Sequence, residues 1–319
     1  MNLLVSLRYL VALDDHKHFG RAALASNVTQ PALSNAIRAL EVNFGTAIVK
    51  RGRNFAGFTS EGERILASAR RILREHELLQ QDLHSHADSP AGHLSIGAVP
   101  TAVPIAARFA AMLHDRHPGI RPTVRSMSSV ELETGLESLA LDMALGYTER
   151  VDAGRPLLRV IPQYDEYYFL LSRSASHGQG LLIGPPIAWA ETAELPLCLL
   201  TSEMHNRTLM DRALLAACGH AVSPAIETNS IFTLALSVRA GRVHSIMPGA
   251  LVGAVQDNGE LVARPLIAPQ VAVPIAFMVH AGNRPSRTLD AALAFAETPV
   301  WRSQLALHAG RLGRDSPIE

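Results

Sequence analysis

The sequence predicts an α/β protein in three parts: a small helical domain with a hairpin, one long helix, and a larger half in which strands and helices alternate. Three observations predict this. Apolar residues recur at helical spacings around a polar break in residues 1–58, keep that spacing without interruption in 59–90, and alternate between strand and helix periods in 91–300. With 319 residues, 48% of them hydrophobic, the chain can form more than one core.

The first part has the pattern of a helix-turn-helix. A first helix is marked by Leu3, Leu7, Leu10 and Val11, and Phe19–Ala25 follows as a short helical run. After a polar break, Thr29 is placed to cap the next helix, whose first turn tolerates Pro31 because its N–H groups have no intrahelical partner. The apolar stripe of that helix consists of Leu33, Ile37 and Leu40.

The opposite face of that helix is polar, and its side chains are Gln30, Ser34, Arg38 and Glu41. Glutamine can contact adenine, arginine can contact guanine or phosphate, and serine can bind either kind of acceptor. This chemistry suits the major groove of DNA, so we expect a recognition helix here.

Residues 48–58 predict a hairpin with strands Ile48–Arg51 and Phe55–Phe58, which would be the wing of a winged helix-turn-helix. Arg51 and Arg53 lie around its tip and are candidates for a backbone or minor-groove contact. A solvated surface turn is the plainer interpretation, since basic turns are common. Formal net charge is zero, but residues 1–58 hold seven Lys/Arg against three Asp/Glu, so the basic excess lies where phosphates would bind.

Residues 59–90 predict one long helix ending near Ser89, with Ser60 and Glu63 matching a capping box. Residues at spacings of four and three form a seam that is apolar except for His76: Ile65, Ala69, Ile72, His76, Leu79 and Leu83. A lone helix of this kind cannot bury its seam within a monomer, so we expect a dimer.

The third part begins with a βαβαβ pattern and continues with a second set of strands and helices. A final strand and helix have no partner in the second set and are expected to rejoin the first. This gives two lobes linked by two crossings, with lobe I at about 91–162 and 267–300, lobe II at about 163–266, and a C-terminal tail at 301–319. Ligands in such folds bind in the cleft at the carboxyl ends of strands.

Taken together, these motifs resemble the LysR-type transcriptional regulators. The motif positions that carry the resemblance are Phe19, Ala22, Ala23, Gln30, Pro31, Leu33, Ser34, Ile37, Leu40, Glu41 and Gly62. The later half resembles the family more loosely, through Leu94–Gly97, Asp142–Leu145 and Ile246–Pro248. The resemblance implies a homodimer that assembles into a homotetramer, a double-stranded bacterial promoter DNA target, RNA polymerase as a further partner, and a small effector bound between lobes like those of periplasmic solute-binding proteins.

The resemblance also implies site residues. Those for DNA are Thr29, Gln30, Pro31, Ser34, Arg38, Arg51 and Arg53. Those for the effector are Pro100, Thr101, Ser128, Ser129, Thr201, His205, Arg207, Asn229 and Ser230. Capped helix starts converging on one cleft favour an anion, so a small anion or carboxylate is the expected effector, with Arg207 as its cation.

Other classes explain less of the sequence. A solute-binding protein would not need residues 1–90 and would need an export signal, whereas this N-terminus predicts an amphipathic helix, so we expect a cytoplasmic protein without a membrane partner. No nucleophile with its base, metal-ligand cluster or phosphate loop is recognisable, so we predict no enzyme, no metal and no cofactor. A redox-sensing regulator using Cys198 and Cys218 stays as the alternative, although both resemble small buried hydrophobic residues.

Overall fold

The computed structural model describes residues 2–50, 52, 55–84, 89–149, 157–174, 178–282 and 285–308. It divides into two compact units, an N-terminal unit formed by residues 1–88 with 138–140, and a C-terminal unit formed by the rest of 89–319.

The N-terminal unit begins with three helices, α1 (Leu3–His16), α2 (Phe19–Ala25) and α3 (Gln30–Phe44). Their inward residues form one core, in which Leu10, Leu33 and Leu40 are fully buried. The predicted cap is present, since Thr29 Oγ1 accepts the N–H of Ala32 at 3.4 Å. Gly45 ends α3 in the left-handed conformation, with φ of +67°.

A short hairpin follows α3. Val49 pairs antiparallel with Phe58, and the N–H of Lys50 donates to the carbonyl of Gly57 at 3.0 Å. Glu41, predicted on the outer face of α3, instead accepts the N–H groups of Ile48 and Val49 through Oε1 at 2.8 and 3.2 Å. It therefore fixes the hairpin to α3 and is withdrawn from the polar face.

The long helix α4 (Ser60–His84) starts as predicted, but its cap is one residue earlier. Thr59 Oγ1, not Ser60, accepts the N–H of Gly62 at 2.9 Å, and it donates to the carbonyl of Ala47 at 2.6 Å. Gly62 has no room for a side chain, because a Cβ there would lie 2.1 Å from the carbonyl oxygen of Ile48. The predicted end near Ser89 follows residues 85–88, which lie outside the described part.

Only the first half of the predicted seam is used within the chain. Ala69 is fully buried, Ile65 packs against the same core, and Arg70 pairs with Asp14 and Asp15 at 2.8 and 2.7 Å. The later apolar residues of the seam are exposed, with 45% of Ile72, 58% of Leu79 and 73% of Leu83 accessible. A partner helix would therefore pack against the second half of α4.

The C-terminal unit alternates strands and helices. Its strands are β1 (Gly92–Ala98), β2 (Ile120–Ser126), β3 (Met143–Tyr147), β4 (Leu158–Arg173), β5 (Leu182–Ile183), β6 (Ile187–Ala188), β7 (Cys198–Leu200), β8 (Ile226–Thr228), β9 (Ser245–Pro248), β10 (Leu261–Ile267) and β11 (Ala272–His280). Its helices are α5 (Val103–Arg116), α6 (Ser129–Glu137), α7 (Trp189–Thr192), α8 (His205–Cys218), α9 (Ile231–Ala240), α10 (Gly249–Gly253), α11 (Arg287–Ala296) and α12 (Pro299–His308). A 3-10 turn, Pro100–Ala102, precedes α5.

These strands form the two lobes that the sequence predicts. In lobe I, β2, β1 and β3 are parallel, and β11 pairs antiparallel with both β3 and β4. In lobe II, β9 and β10 pair antiparallel with the second half of β4, and β7 pairs parallel with β8. The pairing of β4 changes between Tyr167 and Tyr168, so one continuous strand crosses between the lobes and the predicted boundary at residue 162 falls inside it.

The segment predicted as a C-terminal tail begins with a packed helix. In α12, Trp301 and Leu305 are buried in lobe I, and Trp301 Nε1 donates to Gln163 Oε1 at 2.8 Å. Two large apolar residues four positions apart form a buried helical stripe that the sequence interpretation missed. Residues 309–319 lie outside the described part. None of the described helices has both the length and the apolar composition needed to cross a membrane.

Candidate functional site

The polar face of α3 is open to solvent. Gln30, Pro31 and Arg38 are exposed, as is the capping Thr29, while Ser34 is half-buried. Within the described part of the chain, Gln30 and Arg38 make no side-chain hydrogen bond or ion pair. Both side chains are therefore available to a partner, which is the arrangement that contact with base edges and phosphates requires. Arg51 and Arg53 of the hairpin lie outside the described residues.

A cavity of about 300 Å³ lies between the lobes of the C-terminal unit. Lobe I contributes the 3-10 turn after β1, the start of α6 and the end of β3, and lobe II contributes the start of α8. Its lining residues are Val99, Pro100, Thr101, Ser128, Ser129, Val130, Tyr147, Glu203, Met204, His205, Asn206 and Thr208.

A buried hydrogen-bond network forms the wall of this cavity. Thr101 Oγ1 and the Tyr147 hydroxyl are 2.8 Å apart, and Asn206 Nδ2 donates to the hydroxyls of Tyr147 and Tyr168 at 3.1 and 3.0 Å. All four side chains are at least 97% buried. Since Asn206 belongs to lobe II and Tyr147 to lobe I, the network connects the lobes at the cavity.

A buried carboxyl group lies close to the two tyrosines of the network. Glu166 is fully buried on β4, and its Oε1 accepts the N–H of Ala250 at 3.0 Å. Burial raises its pKa to about 8, so the carboxyl is largely protonated at neutral pH. Burial also raises the pKa of Tyr147, and the nearby Glu166 raises it further, so this hydroxyl stays neutral.

Five of the predicted effector residues line the cavity, namely Pro100, Thr101, Ser128, Ser129 and His205. Ser128 is also the cap of α6, because its Oγ accepts the N–H of Glu131 and donates to the Glu131 carboxylate. The ring of His205 packs against that of Tyr147, with centroids 4.8 Å apart. The structure adds Tyr147 and Asn206, for which the sequence offered only positions at a strand end and a helix start.

The other predicted effector residues are not among those that line the cavity: Thr201, Arg207, Asn229 and Ser230. Arg207 is the main correction. Its Nη1 donates to the Leu200 carbonyl and to Glu227, both at 2.7 Å, and its Nε donates to Asp211 at 2.8 Å. Only 6% of Arg207 is exposed, so this guanidinium connects elements of lobe II and is not the cation of the cleft.

Comparison with known proteins agrees with this architecture. The model of a bacterial regulatory helix-turn-helix protein of the LysR family matches residues 4–63. The model of the LysR substrate binding domain matches residues 87–298, which is more than half of the chain. The chain belongs to the LysR family. It is thus a DNA-binding transcription regulator with a helix-turn-helix and an effector-binding domain.

Among curated LysR-family relatives, the chain is similar to the DNA-binding transcriptional dual regulator OxyR of Escherichia coli K12, with 28% identity over 87% of this chain and 89% of that protein. It is 30% identical to a probable hydrogen peroxide-inducible genes activator of Streptomyces viridosporus, over 78% of each chain. These relatives are regulators, not enzymes.

Solved LysR-family structures share the fold. A full-length OxyR cysteine-to-aspartate variant from Pseudomonas aeruginosa superposes with a TM-score of 0.67 at 22% identity, covering 93% of this chain and 98% of that one. CbnR in complex with its target DNA superposes with a TM-score of 0.63 at 19% identity, covering 92% and 98%.

Proposed function

We propose that this LysR-family regulator binds promoter DNA through α3 and the adjoining hairpin, and that a small molecule in the inter-lobe cavity controls this binding. The observation that carries the DNA half of the proposal is the exposed polar face of a capped α3, with Gln30 and Arg38 uncommitted to other groups of the described chain. Glutamine would contact base edges, and arginine would contact guanine or a phosphate.

We further propose that the active species is a dimer or a dimer of dimers. The exposed Ile72, Leu79 and Leu83 lie on α4 with the spacing of a two-stranded coiled coil. Pairing of two α4 helices would bury these side chains and present two recognition helices to a two-half-site DNA. CbnR, a family member of the same fold, has been solved with its target DNA.

The cavity is the proposed effector site because it is concave, lies between two lobes and holds convergent polar groups. Its volume of about 300 Å³ suits a small molecule and is too small for a peptide. The sequence favoured an anion because capped helix starts converge on the cleft and because Arg207 was expected to be its cation, but that guanidinium is committed elsewhere. The case for an anion therefore rests only on the helix starts.

Selection of bound fragments from the parent genome by the purified full-length chain tests the proposed function. We expect enrichment of a few promoter regions with two related half-sites, and binding that weakens steeply with salt because phosphate contacts release counterions. Equal binding to the enriched fragments and to shuffled DNA of the same composition would contradict the proposal.

The coiled-coil part has a separate test. Replacing Ile72 and Leu79 by Lys should lower the molar mass measured by light scattering and weaken binding to a two-half-site fragment. The matched control carries Lys at two exposed positions of α4 outside the seam, Arg71→Lys and Glu75→Lys. An unchanged mass for the seam variant would rule out α4 as the pairing surface.

A further inference from the structure

Two residues that line the cavity, Asn206 and Ser129, each carry a buried side-chain oxygen, Oδ1 and Oγ, that has no hydrogen-bond partner in the described chain. Asn206 is 97% buried, and its Nδ2 already donates to Tyr147 and Tyr168, so both hydrogens of its amide are used. The remaining Oδ1 can only accept. A buried acceptor without a donor is unfavourable, so a ligand that brought an N–H or O–H group to this oxygen would be stabilised.

The charges around the cavity oppose an anion. Glu203 lies on the wall, two residues before α8. Hydrogen bonds from its own backbone N–H and from the Thr201 hydroxyl lower its pKa, so it is a carboxylate. Glu131 holds a second carboxylate at the start of α6, where it accepts the N–H and hydroxyl of Ser128 at 2.7 and 2.8 Å. Among the described lining residues there is no Lys or Arg.

The helix starts do not offset this negative charge. An anion is favoured at a helix start, but the first turn of α6 already carries the carboxylate of Glu131, which is bonded to the N–H and hydroxyl of Ser128. Glu203 precedes the start of α8 by two residues, and its carboxylate accepts the hydroxyl of Thr201. In the 3-10 turn, Pro100 has no N–H, and that of Ala102 donates to the Val99 carbonyl at 2.8 Å.

From these contacts and charges we propose that the cavity binds a small, uncharged or positively charged ligand that donates hydrogen bonds to Asn206 Oδ1 and Ser129 Oγ, and that it discriminates against carboxylates. This deepens the proposed function and depends on its assignment of the cavity as the effector site. The apolar part of the wall, formed by Val99, Val130 and Met204, accommodates a short alkyl group.

Three fragments of nearly equal size test the ligand class: butyramide, butylamine and butyrate. Ligand-observed NMR on the full-length chain near neutral pH should show millimolar binding of the amide and the ammonium, and binding of butyrate at least about tenfold weaker. Butyrate binding as tightly as butyramide would overturn the proposal. Absence of binding by both butyramide and butylammonium would overturn it as well.

Variants show which residues of the cavity discriminate against carboxylates. Glu203→Gln removes one carboxylate and should bring butyrate several-fold closer to butylammonium, whereas Glu297→Gln, an exposed lobe I position outside the cavity, is the matched control and should change nothing. Ser129→Ala should weaken butyramide several-fold without affecting the folded state. Asn206→Asp should favour the ammonium over the amide, but it can disturb the tyrosine network, so the Glu203 and Ser129 variants decide the outcome.

The DNA selection described above separates the two levels of the proposal. If a promoter is selected but Glu203→Gln behaves like Glu297→Gln and butyrate binds best, the ligand class is wrong and the regulator assignment stands. If amide and ammonium bind as expected but no DNA sequence is selected, the ligand class stands and the proposed function fails.

Discussion

Arg38 and Arg207 lie on helices in the two halves of the chain, and the sequence placed both at a ligand. In the N-terminal unit, Arg38 is exposed on a face that the chain leaves open. In the C-terminal unit, Arg207 is buried and bonded to Asp211, Glu227 and a carbonyl. The difference shows that the position of a charged residue on a helix does not by itself predict that it is free to bind a ligand. A distant segment can supply its counter-charge.

The same contrast holds for the whole polar surfaces of the two halves. The α3 face is made by one helix, so its composition is visible within nine residues of sequence. The cavity wall combines four separated segments, whose side chains bind one another before any ligand does. Both tryptophans of the chain, Trp189 and Trp301, are buried in the C-terminal unit, so tryptophan fluorescence follows the unfolding of that half alone.

The largest expected difference is a pH dependence confined to the C-terminal unit, caused by Glu166. The unfolded chain releases this proton near pH 4.5, but the folded chain releases it only near pH 8. The folded state therefore holds the extra proton between these values, so its stability falls as pH rises through this window and is level above it. From pH 5 to pH 8 the loss should be about 3 kcal/mol.

The isosteric Glu166→Gln variant removes this titration and keeps an acceptor for the Ala250 N–H. Urea unfolding followed by tryptophan fluorescence should show that the stability of the variant rises relative to that of the wild type as pH increases. The surrounding hydroxyls of Tyr147, Tyr164 and Tyr168 do not compete, because burial raises the pKa of each. Parallel pH profiles for both proteins would contradict a protonated Glu166.

The next effect separates the two arginines. Arg207→Ala removes the hydrogen-bond donor of Asp211, Glu227 and the Leu200 carbonyl. Because both carboxylates are half-exposed and can rehydrate, the loss of stability should be about 2 kcal/mol. Arg38→Ala should change stability by less than about 0.5 kcal/mol and weaken DNA binding instead. Urea unfolding and a mobility-shift titration on both variants measure this. Equal stability of the two would show that the Arg207 contacts contribute little.

Local chemistry explains which predictions were confirmed. The LysR-family fold, its helix-turn-helix and its two lobes were predicted, because capping, apolar periodicity and turn residues act over a few positions. The start and end of α2 agree with the structure at both residues. The cap of α4 was misplaced by one residue, since Thr59 and Ser60 are chemically equivalent and only the contact with Ala47 distinguishes them.

Long-range pairing explains the rest. Glu166 lies in a 16-residue strand that passes from lobe I to lobe II without a turn, so nothing local marked the crossing. Asn206 adjoins two residues that were selected for their charge, yet its partners are 59 and 38 positions away. Trp301 and Leu305 offered a local helical stripe that was missed, but the contact of Trp301 with Gln163, 138 positions earlier, could not be read from the sequence. Such contacts require the fold before they can be inferred.

A smaller effect tests the exposed face of α3. Gln30→Ala should cost about 1.5 kcal/mol of affinity at a selected promoter and almost nothing on random DNA, because an amide contact to adenine is base-specific. Arg38→Ala is the comparison, since loss of a phosphate contact weakens both DNAs and lowers the salt dependence. Mobility-shift titrations at two salt concentrations measure both. If Gln30→Ala loses the same affinity on both DNAs, Gln30 has no role in base recognition.

The smallest effect is expected at the cysteines, although relatives of this chain are named for induction by hydrogen peroxide. Cys198 is fully buried in β7, and burial raises the pKa of its thiol, which lowers the reactive thiolate fraction. The Cys218 thiol donates to the carbonyls of Leu214 and His220 at the end of α8.

We therefore expect a thiol reagent to modify Cys218 first and Cys198 only on unfolding of the C-terminal unit. The Cys198→Ala and Cys218→Ser variants should bind the promoter as the wild type does, both with and without peroxide treatment. A disulfide between the two cysteines in peroxide-treated protein, detected by mass spectrometry and abolished by either substitution, would instead establish the redox alternative.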